Sequence, residues 1–274
     1  MRLKKAIKQL HLIQRNSLWW NTPLSVTEKL TYYGFIFSSV IRAAFTKKKK
    51  ILYLGNVLHY DNIATPLSLQ AYPHEVYKSI LANTRGIRIK RVLDIGGNIG
   101  QFSLTINHAL KDKVLIDVLE PNSEIFHLLR ENTAQKKNIR IFNLGVGKPS
   151  LKRMYYTPDK SATGSIFKRN TTTKSAAKKT KIELVNDVAK VTGNLKYDLV
   201  KIDVEGYEYS LLESIKPFTA KLMFLEVSGL GRSKNFTHSD LFSLIESKFG
   251  KFDILHISDT HAKSNNFDIL IRFR

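Results

Sequence analysis

The chain has 274 residues, 43% of them hydrophobic and 24% charged, with 44 Lys and Arg against 23 Asp and Glu and no cysteine. This is a globular composition, long enough for one large domain or two small ones. The missing thiols exclude a disulfide framework, a Cys-ligated zinc and a thiol nucleophile. The net charge of +21 is unevenly placed: residues 1–50 carry 11 basic and 1 acidic residue, and residues 151–181 carry 9 and 1. A nearly neutral body thus bears two basic segments, a pattern that suits local anionic partners better than a nucleic acid along a whole face.

In chain order, Leu3, Ala6, Ile7, Leu10 and Ile13 recur at helical spacing with lysines between them, and no signal-peptide apolar run follows. This basic amphipathic helix either lies on an anionic membrane surface or packs on the domain with a solvated face. Leu30–Phe45 is apolar but only 16 residues long and contains Arg42, so a buried or interfacial helix is expected rather than a span. The expected localisation is cytoplasmic, with residues 1–50 able to hold the protein peripherally at the inner face of a membrane. Residues 51–60 read as a short strand or hairpin arm, and Pro73–Asn83 as a helix opened by proline.

From Arg91 strands and helices alternate. Strands are expected at Arg91–Ile95, Val114–Leu119, Ile139–Leu144, Ile182–Val185, Asp198–Asp203 and Leu222–Val227, with helices at 99–110, 122–134, 207–215 and 239–249. Leu151–Tyr156 could be a strand, and the low-complexity basic run Thr171–Lys181 reads as a loop. Lys251–Ile257 and Phe267–Phe273 close the chain as an antiparallel hairpin. The pattern predicts an α/β fold: a doubly wound, mostly parallel, seven-stranded sheet with an antiparallel C-terminal hairpin. The expected organisation is a basic helical extension at 1–50, a strand and helix segment at 51–88, and the main domain at 89–274 with a basic insertion at 148–181.

The chemistry is carried by Val92–Gly100, VLDIGGNIG. An apolar strand ends in Asp94; Gly96, Gly97, Asn98 and Gly100 then form the turn before a helix. This is not the G-x-G-x-x-G of a pyrophosphate-binding turn. An acid before a glycine turn suits a ligand with a cationic end and no phosphate, such as S-adenosylmethionine. The next strand ends in Glu120, 26 positions after Asp94, where a carboxylate can accept bonds from both ribose hydroxyls.

VLDIGGNIGQFSL, VLEPNSEIFHLLREN, LVKIDVEGYEYSLLE and LMFLEVS resemble the FkbM-type S-adenosylmethionine-dependent methyltransferases, over about residues 89–227. Lys201–Gly206, KIDVEG, is the most family-specific piece. The resemblance implies a class I methyltransferase fold and O-methylation of a sugar or natural-product hydroxyl. It assigns Asp94, Gly96, Asn98 and Gly100 to the cofactor turn, Glu120 to the ribose, and Asp203, Glu205 and Gly206 to an active-site loop. Leu184-Val185-Asn186-Asp187 departs from the Leu-Asp-Asp-like stretch usual before that loop, and the first 85 residues lie outside the resemblance.

In an open α/β sheet the ligand sits beyond the C-terminal strand ends, so Asp94, Glu120, Asp203 and Glu226 are expected to line one crevice. Asp203 is the first candidate for the base that takes the acceptor's proton, with Glu205 and Glu226 behind it. Asp203 could equally position the methionine end of the cofactor or cap the following helix, and Asp203 with Glu205 and a third acid could bind Mg²⁺. No metal is assigned. The expected function is O-methylation of a small-molecule or glycan hydroxyl. The competing readings are an RNA methyltransferase, which the absence of an RNA-binding module disfavours, and a non-catalytic membrane- or nucleic-acid-binding protein on the same scaffold.

Overall fold

A computed structural model describes residues 50–54, 56–60, 75–157, 160–165, 178–227, 237–261 and 266–274. The expected helices at Leu3–Ile13 and Leu30–Phe45 lie outside the described residues. No helix among the described residues is long and apolar enough to cross a membrane.

The main sheet has seven strands: β3 (Arg91–Ile95), β4 (Leu115–Leu119), β5 (Ile139–Phe142), β10 (Lys196–Ile202), β11 (Thr219–Val227), β12 (Phe252–His261) and β13 (Asn266–Phe273). Their spatial order is β12-β13-β11-β10-β3-β4-β5. All pairs from β11 to β5 are parallel, and β13 is antiparallel to both β11 and β12. The doubly wound sheet and its antiparallel end are as the alternation predicts. Chain order reverses at β3, which lies between β10 and β4, so the crevice of such a sheet opens at their C-terminal ends.

Side chains alternate between two buried layers. Val92, Val118, Leu199, Phe224 and Leu270 pack beneath α1 (Gln101–Ala109) and α2 (Ser123–Thr133), together with the hairpin β1–β2 (Lys50–Tyr53, Asn56–His59) and a π-helical turn, Glu75–Ile80. Leu93, Ile95, Val200, Met223, Leu225 and Ile271 face α3 (Val188–Thr192), α4 (Glu208–Ser214) and α5 (His238–Phe249). Of the helix expected at 73–83, the described part is not α-helical: a wide π-helical turn at Glu75–Ile80 runs into a tight 3₁₀ turn at Leu81–Asn83. Asn132 of α2 accepts from His59 N at 2.6 Å and donates to the carbonyls of His59 and Ile99, tying the hairpin to the start of α1.

The segment read as a basic insertion contains a second sheet. Four strands, β6 (Gly145–Val146), β7 (Ser150–Thr157), β8 (Lys160–Ser165) and β9 (Lys178–Val185), lie in the order β6-β9-β7-β8. Residues 178–181 belong to β9 rather than to a loop. Pairing with β7 supplies the backbone partners that their lysine-rich sequence does not advertise.

Asp117 holds the edge of the main sheet. Its Oδ1 accepts from Arg140 Nε at 2.7 Å and Nη2 at 2.6 Å, and Oδ2 from Tyr197 Oη and Asn194 Nδ2 at 3.0 Å each. Asp117 is buried while Arg140 is half-exposed, so removing the acid orphans several donors and removing the arginine leaves two bonds in place. Asp117→Ala should cost about 3 kcal/mol of unfolding free energy and Arg140→Ala about 1, read from denaturant melts.

Candidate functional site

The turn after β3 is pinned by its backbone. Gly96 N and Gly97 N both donate to Leu119 O of β4, at 2.9 and 3.0 Å, and Asp203 N donates to Ile95 O at 3.1 Å. Gly96 has φ +86°, and a Cβ there would meet Asp203 O at 1.8 Å. A Cβ on Gly97 would meet Val118 Cγ1 at 2.1 Å. The ends of β3, β4 and β10 thus converge only because these two positions carry no side chain.

They bound a cleft of about 670 Å³ out to its mouth, lined by Gly96, Asn98, Glu120, Asn122, Asp203, Glu205 and Tyr207, with Ile125, Val146, Ile182 and Leu184 as apolar wall. Gly96, Asn98, Glu120, Asp203 and Glu205 are therefore brought together as expected from the sequence. Four other expected residues do not line the cleft. Asp94 is fully buried beneath the turn, accepting from Ser103 Oγ at 2.6 Å, because its strand position faces the α1 layer. Gly97 packs on Val118, and Gly100, at φ +94°, lets α1 start against Leu129. Glu226 pairs in register with Asp268 across β11 and β13.

Glu120 is buried, its Oε2 accepting from Asn98 N at 2.9 Å and Oε1 from Asn122 N at 2.8 Å. Burial pushes its carboxyl up to about 7 against those two donors, and the charges of Asp94 and Asp203 add a smaller push. Each oxygen keeps lone-pair capacity toward the cleft. A buried carboxylate held open by two backbone donors is an acceptor pair for vicinal hydroxyls, so the residues present fit the ribose of S-adenosylmethionine.

The loop after β10 carries the other wall. Glu205 sits at φ +53° and Gly206 at φ +97°, and Gly206 N donates to Glu208 Oε1 at 2.9 Å. Burial pushes Glu208 up to about 8. Three charged residues were not singled out from the sequence. Lys201, with a side chain only 1% exposed, donates to Asp203 Oδ2 at 2.9 Å and stands over the Phe102 ring at 5.4 Å. Asp268 is buried, its carboxyl pushed up to about 7 by burial and by Asp203, with Lys201 opposing. Glu208 is the third. The available signal was a lysine inside the otherwise apolar central strand LVKI, which needs a buried partner. Among the described residues no group of acidic or histidine side chains is arranged to hold a metal ion.

Several solved structures are similar in shape at low identity. The fibrillarin pre-rRNA processing protein of Methanococcus jannaschii shares 14% identity over 83% of each chain, with a TM-score of 0.47. A methyltransferase FkbM from Methylobacillus flagellatus shares 14% over 79% of this chain and 56% of its own, TM-score 0.39. The N-terminal domain of EvdMO1, solved with S-adenosylhomocysteine and D-fucose, shares 13% over 72% and 81%, TM-score 0.39. Comparison with curated proteins gives no match. The family model of the methyltransferase FkbM domain, by contrast, matches residues 94–252. That span runs from the acid beneath the glycine turn, through Glu120 and the Asp203 loop, to the start of β12, and the chain belongs to the FkbM family of S-adenosylmethionine-dependent methyltransferases.

Proposed function

We propose that the protein methylates a hydroxyl of a small molecule or glycan, with Gly96, Asn98 and Glu120 holding the cofactor and Asp203 receiving the hydroxyl proton. S-adenosylmethionine, when bound, supplies an electrophilic methyl group on its sulfonium. The chain's own contribution is alignment of the acceptor oxygen, which is worth roughly 7–11 kcal/mol in well-oriented reactions, and removal of its proton. The observation that carries the reading is the pair of carboxylates on one cleft: Glu120, buried and backbone-anchored, and Asp203, 13% exposed and fixed through Oδ2 by the buried ammonium of Lys201. Lys201 is a positioning residue here. Glu205, on the same wall, is the second candidate for the proton acceptor; Glu226 lies off the cleft and is not retained.

In a tritiated-methyl transfer screen over sugars, hydroxylated natural products and RNA, transfer to a hydroxyl of the first two classes is expected, and transfer to RNA alone would overturn the proposal. Asp203→Asn should keep S-adenosylhomocysteine affinity within about threefold while lowering turnover by roughly 10²–10⁴. Parallel loss of both would make Asp203 a cofactor ligand.

Glu120 makes pH a second test. Sugar hydroxyls donate to the ionised carboxylate, so affinity for S-adenosylhomocysteine should rise between about pH 6 and 8 in calorimetry, with proton release, and Glu120→Gln should bind weakly with a flatter pH profile. The stability effect has the opposite slope. Glu120, Asp268 and Glu208 have folded-state values raised to about 7, 7 and 8. Their protonated forms favour the cofactor-free fold below the unfolded carboxyl range, and that stability is lost as pH rises to about 8. The melting temperature of the cofactor-free protein should therefore fall from pH 5 to 8.

We also propose, from sequence alone, that residues 1–50 engage an anionic membrane surface from the cytoplasmic side. Full-length protein should co-sediment with anionic liposomes and be released by salt. A chain starting at Ile51 that sediments equally well would refute this.

A further inference from the structure

Beyond Asp203 the acids continue away from the glycine turn. Strand β10 is in register with β3 at Lys201–Asp94 and Ile202–Ile95, and with β11 at Lys201–Phe224 and Ile202–Leu225. One step further along, Gly96, Asp203 and Glu226 come level, and Glu226 pairs with Asp268 of β13. Register partners share a face of the sheet. Lys201 donates to Asp203 and stands over Phe102 of α1, so this is the α1 face. Phe224 and Leu270, two positions from Glu226 and Asp268, pack in the same layer. Asp203, Glu226 and Asp268 therefore form one row across three strand ends, starting beside the glycine turn. With neighbouring strands about 4.8 Å apart, Glu226 lies roughly 5 Å and Asp268 roughly 10 Å beyond Asp203. Asp203 and Glu226 are partly exposed, so the row opens outward beside the cleft.

Asp268 sets this row apart from a structural cluster. It is 5% exposed, yet among the described residues nothing hydrogen-bonds to its carboxyl. Every other buried acid there has donors: Asp94 has Ser103, Asp117 has Arg140 and Tyr197, Glu120 has two backbone amides, and Glu208 has Gly206 N. A buried carboxyl without a donor is costly, so Asp268 answers to a group outside the chain. Its charge is felt at Asp203 and Lys201, which places it toward the row. The face holds four acids, with Asp94 beneath the turn, against the single ammonium of Lys201, which Asp203 already engages. That excess of negative charge stands out in a chain of net charge +21. A hydroxyl could donate to Asp268 but would leave the charge; a protonated amine supplies both the donor and the opposite sign.

We infer that the acceptor is an amino sugar or aminocyclitol, its reacting hydroxyl at Asp203 and a protonated amine on the same ring between Glu226 and Asp268. This rests on the reading of Asp203 as the group that receives the hydroxyl proton. Held as an ammonium, the nitrogen has no lone pair with which to attack the sulfonium methyl. The contact that binds the ring thus also directs the methyl group to oxygen. Glu226 and Asp268 are binding residues in this account and take no part in proton transfer.

The test is tritiated-methyl transfer to glucosamine, galactosamine and streptamine, each beside its N-acetylated form and its neutral parent. Wild type should favour the free amine by at least about tenfold in kcat/KM, with the methyl group on oxygen. Asp268→Asn and Glu226→Gln should each raise KM for the amine about ten- to a hundredfold, leave kcat within about threefold, and erase the preference. Both should keep S-adenosylhomocysteine affinity within about threefold of wild type in calorimetry. Should one variant fail to fold, the other decides. Equal or better transfer to the neutral or N-acetylated forms would overturn the inference and uphold hydroxyl methylation. Transfer to neutral sugars that depends on added Mg²⁺ would give the row to a metal ion and overturn it too. Transfer to none of the panel by wild type that binds S-adenosylhomocysteine would also overturn it. Methyl found only on nitrogen, or only on RNA, would overturn this inference and the parent reading together.

Discussion

At Gly96 the chain turns with no room for a side chain: a Cβ would sit 1.8 Å from the carbonyl oxygen of Asp203. The two amides of Gly96 and Gly97 share the Leu119 carbonyl, and the Asp203 amide takes that of Ile95. Three strands from distant parts of the sequence are therefore locked together at their C-terminal ends by backbone groups alone. The positions of Glu120 at the end of β4 and Asp203 at the end of β10 follow from that lock. A tighter or looser turn would separate the carboxylates that give the cleft its chemistry.

The electrostatic consequence is a cluster of acids organised around one buried ammonium. Asp94 and Lys201 are register partners on β3 and β10, Asp203 is one step further along the same face, and Glu226 and Asp268 are paired on β11 and β13. Lys201 lowers the carboxyls of Asp94 and Asp268, which burial raises. Such an arrangement stays folded because ammonium, hydroxyl and backbone donors meet part of the charge and proton uptake meets the rest.

The second sheet adds a different constraint. β9 contributes Ile182 and Leu184 to the apolar wall and continues outward into Lys178–Lys181. The cleft is thus closed on one side by a strand outside the seven-stranded core.

Much of the architecture was legible in the residues themselves. Short apolar runs alternating with helical segments specified the parallel sheet, and Asp-x-Gly-x-x-x-Gly followed by a strand-terminal Glu marked the end of it at which the cleft lies. Such features are local, and local patterning reports them faithfully. Strand pairing is not local, so the second sheet stayed hidden: nothing in KKTK announces a partner until Arg153 to Tyr156 come alongside. Burial was hidden for the same reason. Asp94 and Glu226 are strand-end acids like Glu120, yet of the three only Glu120 lines the cleft, because alternation along the strand and packing of α1 decide which way each position faces. By itself the sequence determined the fold class, the cofactor family and the candidate acids. Only the tertiary structure decided which of them meet on one cleft and that Lys201 is buried beside Asp203, since both depend on packing between strands far apart in the chain.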